Sequence, residues 1–185
     1  MKILTILGSA RKHGNTATVL AEFECLAARD HQVERINITD YRVNGCLGCN
    51  HCQKVFDEPG CAQKDDGPVL LARILDADLV VYASPLYAWS FTAQLKALFD
   101  RLFCLVKWDA QPVKSLIKDR RAALLVTCAD AIENNADLIQ VMFQREMDCA
   151  QCAVAGMYIV PHCTTPKEMG DKATRTAEEM AREIF

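Results

Sequence analysis

Short apolar runs alternate with longer segments of helical periodicity along the whole chain. Lys2–Leu7 is a short, β-rich run. Residues 17–28 place Val19, Leu20, Phe23, Leu26 and Ala27 at helical spacing. Residues 33–38 alternate like a strand, and residues 68–75 read as a helix entered after Asp65 and Asp66. Residues 79–83 and 122–128 are continuous apolar runs, the pattern of strands covered on both faces. Residues 90–103 carry an apolar stripe of Phe91, Leu95, Leu98, Phe99 and Leu102. Residues 136–147 read as a helix, 155–160 as a strand, and 166–184 as a helix with a charged face. Five strands separated by helices predict an α/β fold: one parallel sheet with helices on both faces and right-handed crossovers. The common five-strand arrangement has the order 2-1-3-4-5. No repeat, low-complexity segment or linker interrupts the pattern, so residues 1–185 are expected to form a single domain.

Composition narrows the function. The chain has 185 residues, 51% hydrophobic and 24% charged, with a net charge of -3. That balance gives no reason to expect nucleic acid or an anionic membrane as partner. The opening apolar run is too short for a signal-peptide core, and no window approaches the ~20 apolar residues of a membrane helix. A cytoplasmic location is expected. The 10 cysteines of so long an α/β chain then read as free thiols or metal-bound thiolates rather than disulfides.

In such folds ligands bind beyond the carboxyl ends of the strands, where the winding reverses, which is after the first and third strands. The first loop there is Gly8-Ser9-Ala10-Arg11-Lys12-His13-Gly14-Asn15-Thr16. Its glycines allow close backbone approach, and Ser9 and Thr16 offer hydroxyls. Asn15 and Thr16 open a helix whose exposed amides and dipole favour an anion. Arg11 and Lys12 can add charge-assisted bonds of about 1.5–3 kcal/mol each. Five residues separate Gly8 from Gly14, and Asn15 stands where a P-loop has lysine. Ala10 breaks the dinucleotide glycine pattern, and Ser9 stands where a phosphatase loop has its cysteine. A phosphate site fits; an ordinary strand-to-helix turn capped by Thr16 is the alternative. His13 reads as a solvent-exposed member of this loop.

The second loop, residues 84–90, combines stiff Pro85 with Tyr87 and Trp89, flat apolar surface suited to a planar heteroaromatic ring. Together, Gly-Ser-x-Arg-x-x-Gly-Asn-Thr at 8–16 and Ser-Pro-x-Tyr-x-x-Ser-x-x-Ala-x-Leu-Lys-x-x-x-Asp-Arg at 84–101 resemble the NAD(P)H-dependent FMN reductase family. That family is flavodoxin-like and includes quinone reductases and iron–sulfur flavoproteins. The resemblance spans about residues 1–103. It implies a flavodoxin-like three-layer sandwich that binds FMN, with NAD(P)H as co-substrate. It implies that Ser9, Arg11, Asn15 and Thr16 bind the FMN phosphate, and that Pro85, Leu86, Tyr87, Trp89 and Ser90 line the isoalloxazine. It implies structural roles near a subunit contact for Lys96, Asp100 and Arg101, within a homodimer or homotetramer. The flavin carries the chemistry between a small-molecule donor and acceptor, so no side chain need be catalytic. A non-redox phosphate-binding module is the remaining alternative.

Cys46, Cys49, Cys52 and Cys61 read C-x2-C-x2-C-x8-C. Such spacing suits a [4Fe–4S] cluster, and zinc or a structural thiol loop are alternatives. The motif resembles that of iron–sulfur flavoproteins, although the last gap is longer than theirs. It implies an electron carrier with FMN and a cluster as the rival function. Cys149 and Cys152 form a second C-x2-C at the edge away from the flavin loops. Cys25 and Cys104 read as core positions on helix faces. Cys128 ends the fourth strand and can approach the ligand edge, and Cys163 ends the fifth. His51 is a weak candidate ligand.

Overall fold

The computed structural model describes residues 1–185, apart from the side chain of Pro166. Seven strands occur in chain order: β1 (Lys2–Leu7), β2 (Gln32–Asn37), β3 (Leu79–Pro85), β4 (Val106–Lys107), β5 (Lys114–Ser115), β6 (Arg121–Thr127) and β7 (Ala153–Val160). The helices are α1 (Asn15–Ala27), α2 (Gly67–Asp76), α3 (Ala93–Phe99), α4 (Asp137–Cys149), α5 (Pro166–Met169) and α6 (Lys172–Ile184). Five strands pair in parallel in the order β2-β1-β3-β6-β7. The expected 2-1-3-4-5 needs renumbering because a short antiparallel ribbon, β4 with β5, falls between the third and fourth strands of the sheet. Two-residue strands leave no periodicity to read.

Side chains of opposite parity along β1 serve two cores. Leu4 and Ile6 face a cluster with Leu70 of α2, Leu98 of α3 and Phe143 of α4. Ile3 and Leu7 face the other cluster, with Phe23 of α1 and Met180 of α6. Helices therefore cover both faces of the sheet, and its carboxyl edge is left to loops. The first core also holds a T-shaped pair of Tyr82 and Phe99, centroids 5.5 Å apart. Burial pushes the Tyr82 phenol well above its usual range, so it stays neutral.

Several boundaries differ from expectation for identifiable reasons. The helix predicted from residue 90 begins at Ala93, because residues 87–90 form a tight turn and Thr92 caps the helix. Its last turns tighten into a 3-10 helix, Asp100–Leu105. The predicted helix 166–184 divides at Gly170, whose φ of 49° lies in the left-handed region. Cys25, expected in the core, is exposed on α1, whereas Cys104 is buried as expected.

Candidate functional site

The loop between β1 and α1 is held from behind. The Gly8 amide donates to the Ala83 carbonyl at 2.7 Å. A Cβ on Gly8 would lie 2.8 Å from Leu95 Cδ2, so glycine is needed there for packing against α3. The loop curls on itself: the Arg11 amide donates to Ser9 Oγ at 3.1 Å, and the Gly14 amide to the Arg11 carbonyl at 3.0 Å. Gly14 caps α1 with no side-chain acceptor. The backbone N–H groups of Lys12, His13, Asn15 and Thr16 meet no acceptor among the described residues. Orphan donors at the positive end of a helix form an anion cradle.

The side chains of this loop divide the work differently from the sequence expectation. Lys12 is drawn away to Asp40, and its hydrogen bond holds the exposed Asp40 carboxyl below the usual range. Arg11 is exposed and makes no ion pair among the described residues, which leaves it available to an incoming anion. The Asn15 side-chain amide donates to the Cys163 and Thr165 carbonyls. Thr16 Oγ1 lies 2.6 Å from Thr127 Oγ1, and both threonines are buried. Asn15 and Thr16 thus brace the loop through their side chains and face the cradle through their amides. His13 is exposed.

The second loop follows β3. The Tyr87 and Ser90 backbones pair with each other in both directions at 3.0 Å. Ala88 and Trp89 between them have φ of 47° and 59°, as in a type I′ turn. A bulky Trp in the left-handed region is costly, and such strain gathers at ligand clamps. Tyr87 and Trp89 remain 54% and 59% exposed, so their ring surface is open to a ligand. Ser90 closes the turn and lines none of the hollows described below.

Thr92 joins the two loops. Its hydroxyl donates to the Gly8 carbonyl at 2.6 Å and accepts the Leu95 amide at 3.3 Å as the α3 cap. Its own amide donates to Ser84 Oγ at 3.2 Å. Thr92→Val keeps the shape but orphans the buried Gly8 carbonyl and uncaps α3. It is expected to cost about 1–3 kcal/mol, read as a lowered midpoint in thermal denaturation.

A cleft of about 660 Å³ runs between the loops, within the ~300–1,000 Å³ of small-molecule sites. Ser9, Arg11, Asn15 and Thr16 line one side, and Pro85, Leu86 and Tyr87 the other. Trp89 lines an adjoining hollow of about 210 Å³ with Leu86, Ala88 and Asn135. Two further walls are Thr127 at the end of β6 with Cys128 and Ala129 beyond it, and Cys163 with Thr164 after β7; of these, Cys128 alone was placed near the ligand edge from sequence. Their loops match no pattern; their position at strand carboxyl ends was the available signal.

The cysteine-rich segment lies elsewhere. Cys46 and Cys49 are exposed, Cys52 is buried and Cys61 is half-buried. The inner pair packs beside Cys104, whose thiol is pushed well up by burial, then by Cys52 and Cys61. Arg101 fixes this region from below. It is fully buried, ion-pairs with buried Asp65 at 2.7 Å, and donates to Cys61 Sγ at 3.3 Å. The structural role expected of Arg101 takes the form of a buried ion pair enclosed by its own chain. Lys107, also buried, donates to the Cys52 and Pro59 carbonyls at 3.0 Å each. Among the described residues no three Cys, His, Asp or Glu side chains are placed to hold a metal ion. The four motif thiols are therefore not gathered around one centre in this arrangement. Cys149 and Cys152 lie at the opposite edge of the sheet, before β7.

The family model described as NADPH-dependent FMN reductase matches residues 1–156. The chain belongs to this family. FMN reductase membership makes it an FMN-dependent oxidoreductase with NAD(P)H as co-substrate. An iron–sulfur flavoprotein of Archaeoglobus fulgidus is 37% identical over 185 residues, covering 100% of this chain and 79% of that protein. A second, of Methanocaldococcus jannaschii, is 36% identical over 102 residues, 55% of this chain and 51% of its own. Among solved structures, an FMN-dependent NADH-azoreductase of Bacillus anthracis in complex with FMN superposes with TM-score 0.74 at 16% identity, covering 99% and 98% of the two chains. An NAD(P)H:quinone oxidoreductase of Methanothermobacter marburgensis gives TM-score 0.72 at 18% identity, covering 98% and 96%. These two superpositions show a shared flavodoxin-like fold. Among the described residues no helix is long and apolar enough to cross a membrane.

Proposed function

We propose that the cleft between the loops 9–16 and 85–90 seats FMN, and that a small-molecule acceptor takes its electrons at the open side. The observation that carries this reading is the set of orphan amides at Lys12, His13, Asn15 and Thr16 facing the cleft. Four donors without acceptors at a helix start match a phosphate dianion. Ser9 and Arg11 would complete the phosphate site. Pro85, Leu86 and the Tyr87 ring would lie against the isoalloxazine, with Trp89 shielding its rim and Ser90 fixing the turn. Bound there, FMN supplies hydride acceptance from a nicotinamide and electron delivery to an acceptor. The chain's own part is to bind, orient and exclude water; no side chain need move a proton, so no catalytic residue is assigned.

Reconstitution tests this. Apo-protein titrated with FMN and with riboflavin should quench FMN fluorescence strongly and riboflavin weakly. Equal affinity for the two, or no uptake of either, overturns the phosphate assignment.

A second reading is an electron carrier with FMN and a [4Fe–4S] cluster on Cys46, Cys49, Cys52 and Cys61. The names of the relatives and the Arg101 guanidinium beside Cys61 favour it. Iron and sulfide analysis of anaerobically purified protein separates the two readings. The exposed Phe103 and Trp108 would form part of a homodimer or homotetramer contact.

A further inference from the structure

Two of the ten cysteines touch the cleft. Cys128 follows β6 and Cys163 follows β7, the two neighbouring strands at the far side of the sheet. Their backbones are joined: the Cys163 amide donates to the Cys128 carbonyl at 3.1 Å. The Cys163 thiol turns to the same region, donating to the Val160 carbonyl at 3.1 Å and lying 3.6 Å from the Cys128 carbonyl oxygen. The Cys128 thiol donates to the Asp130 carbonyl at 3.3 Å. Adjacent strands run about 4.8 Å apart, and a disulfide spans Cα atoms about 4.4–6.8 Å apart. Cys128 directly follows β6 and Cys163 lies three residues past the end of β7, and the hydrogen bond between their backbones brings the two main chains within the reach of a disulfide. Lys172 lies close enough to Cys163 to favour its thiolate, but burial outweighs it and raises that thiol. Burial first, and then the neighbouring Cys163, push the Cys128 thiol up to about 11. The reduced pair is thus neutral where it borders the anion cradle.

The other cysteines lack this combination. Cys52, Cys61 and Cys104 pack under the loop fixed by Arg101, away from the cleft. Cys149 and Cys152 stand at the opposite edge of the sheet, and Cys25 is exposed on α1.

We propose that Cys128 and Cys163 form a redox-active dithiol–disulfide pair that exchanges electrons with the flavin. This inference rests on the reading of the cleft as the FMN site. In the reducing direction the S–S bond breaks, and each sulfur gains one electron and one proton. The two electrons come from the reduced flavin that the NAD(P)H reaction supplies; the protons come from that flavin and from water. In the opposite direction two S–H bonds break, the S–S bond forms, and oxidised flavin accepts the electron pair. The pair would let the protein store a second pair of electrons beside the cofactor, or pass them to an external disulfide through exchange at the cleft.

Two measurements test it on the full chain. Protein oxidised with diamide, alkylated and mapped by mass spectrometry should yield Cys128 and Cys163 in one linked peptide, with Cys25 alkylated. FMN-loaded oxidised protein titrated anaerobically with dithionite should take up about two more electrons per flavin than Cys128→Ser or Cys163→Ser, which should agree with each other. Equal uptake by wild type and both variants overturns the electron exchange. FMN-loaded protein whose two thiols still alkylate freely after oxidation overturns this inference alone. Protein that takes up no FMN defeats the reading of the cleft, and this inference with it.

Discussion

Asp65→Ala is expected to cost about 3–5 kcal/mol of stability, because it strands the Arg101 charge in the interior. Both side chains are sealed from solvent, 0% and 1% exposed. The Asp65 carboxylate also accepts the Asn44 amide at 2.8 Å and the Gly67 amide at 3.0 Å. One carboxylate therefore fixes the entry to the cysteine segment, the start of α2 and the only buried arginine among the described residues. Room is tight: a Cβ on Gly67 would overlap the Arg101 guanidinium. For a domain of this size the loss corresponds to roughly 6–20 °C in thermal midpoint. The pH dependence has a defined sign. Burial raises the Asp65 pKa, but the bonds from Arg101, Asn44 and Gly67 outweigh it, so the carboxyl stays below its ordinary 3.8. Its contribution is complete above that ordinary value and is lost as pH falls through the lower, folded one. Thermal unfolding of wild type and Asp65→Asn across pH 2 to 7 should show a gap that closes towards the acid end. A constant gap would refute the charge-based account.

Arg11→Ala is expected to weaken FMN binding about tenfold to a hundredfold, the equivalent of one charge-assisted bond of about 1.5–3 kcal/mol. Riboflavin, which has no phosphate, should bind wild type and variant alike. Arg11 is exposed and makes no ion pair among the described residues, so stability should stay within about 0.5 kcal/mol. Fluorescence titration with both flavins reads the difference. A parallel loss for riboflavin would place Arg11 away from the phosphate. Raising salt should narrow the gap between wild type and Arg11→Ala, since an exposed charge is screened.

The sheet was legible because its central strands are covered on both faces and leave unbroken apolar runs, as at Leu79–Pro85, while β2 at the edge alternates. The two cleft loops were legible because glycine, proline and hydroxyl residues punctuate them. Side-chain assignments within the loops were less so. Asn15 has the chemistry of a phosphate donor, but its amide is committed to carbonyls about 150 positions later in the chain, a partnership with no local signal. Arg101 was expected to be structural, but its partner has no local signal, and only the fold brings Asp65 beneath it. Cys128 and Cys163 are separated by a whole helix and strand. Their pairing depends on β6 and β7 being neighbours, which the strand order implies but the residues themselves do not announce.

The clasp from Asn15 to the Cys163 and Thr165 carbonyls also sets how short a working unit can be. The family match stops at residue 156, yet the loop that starts α1 is fastened to chain beyond it. Past that point, too, lies α6, whose Ala177 and Met180 cover the inner face of α1 around Phe23. A fragment trimmed to the shared segment would keep both signature motifs. It would still lose the fastening of the first motif and lay bare the apolar side of the helix that carries it.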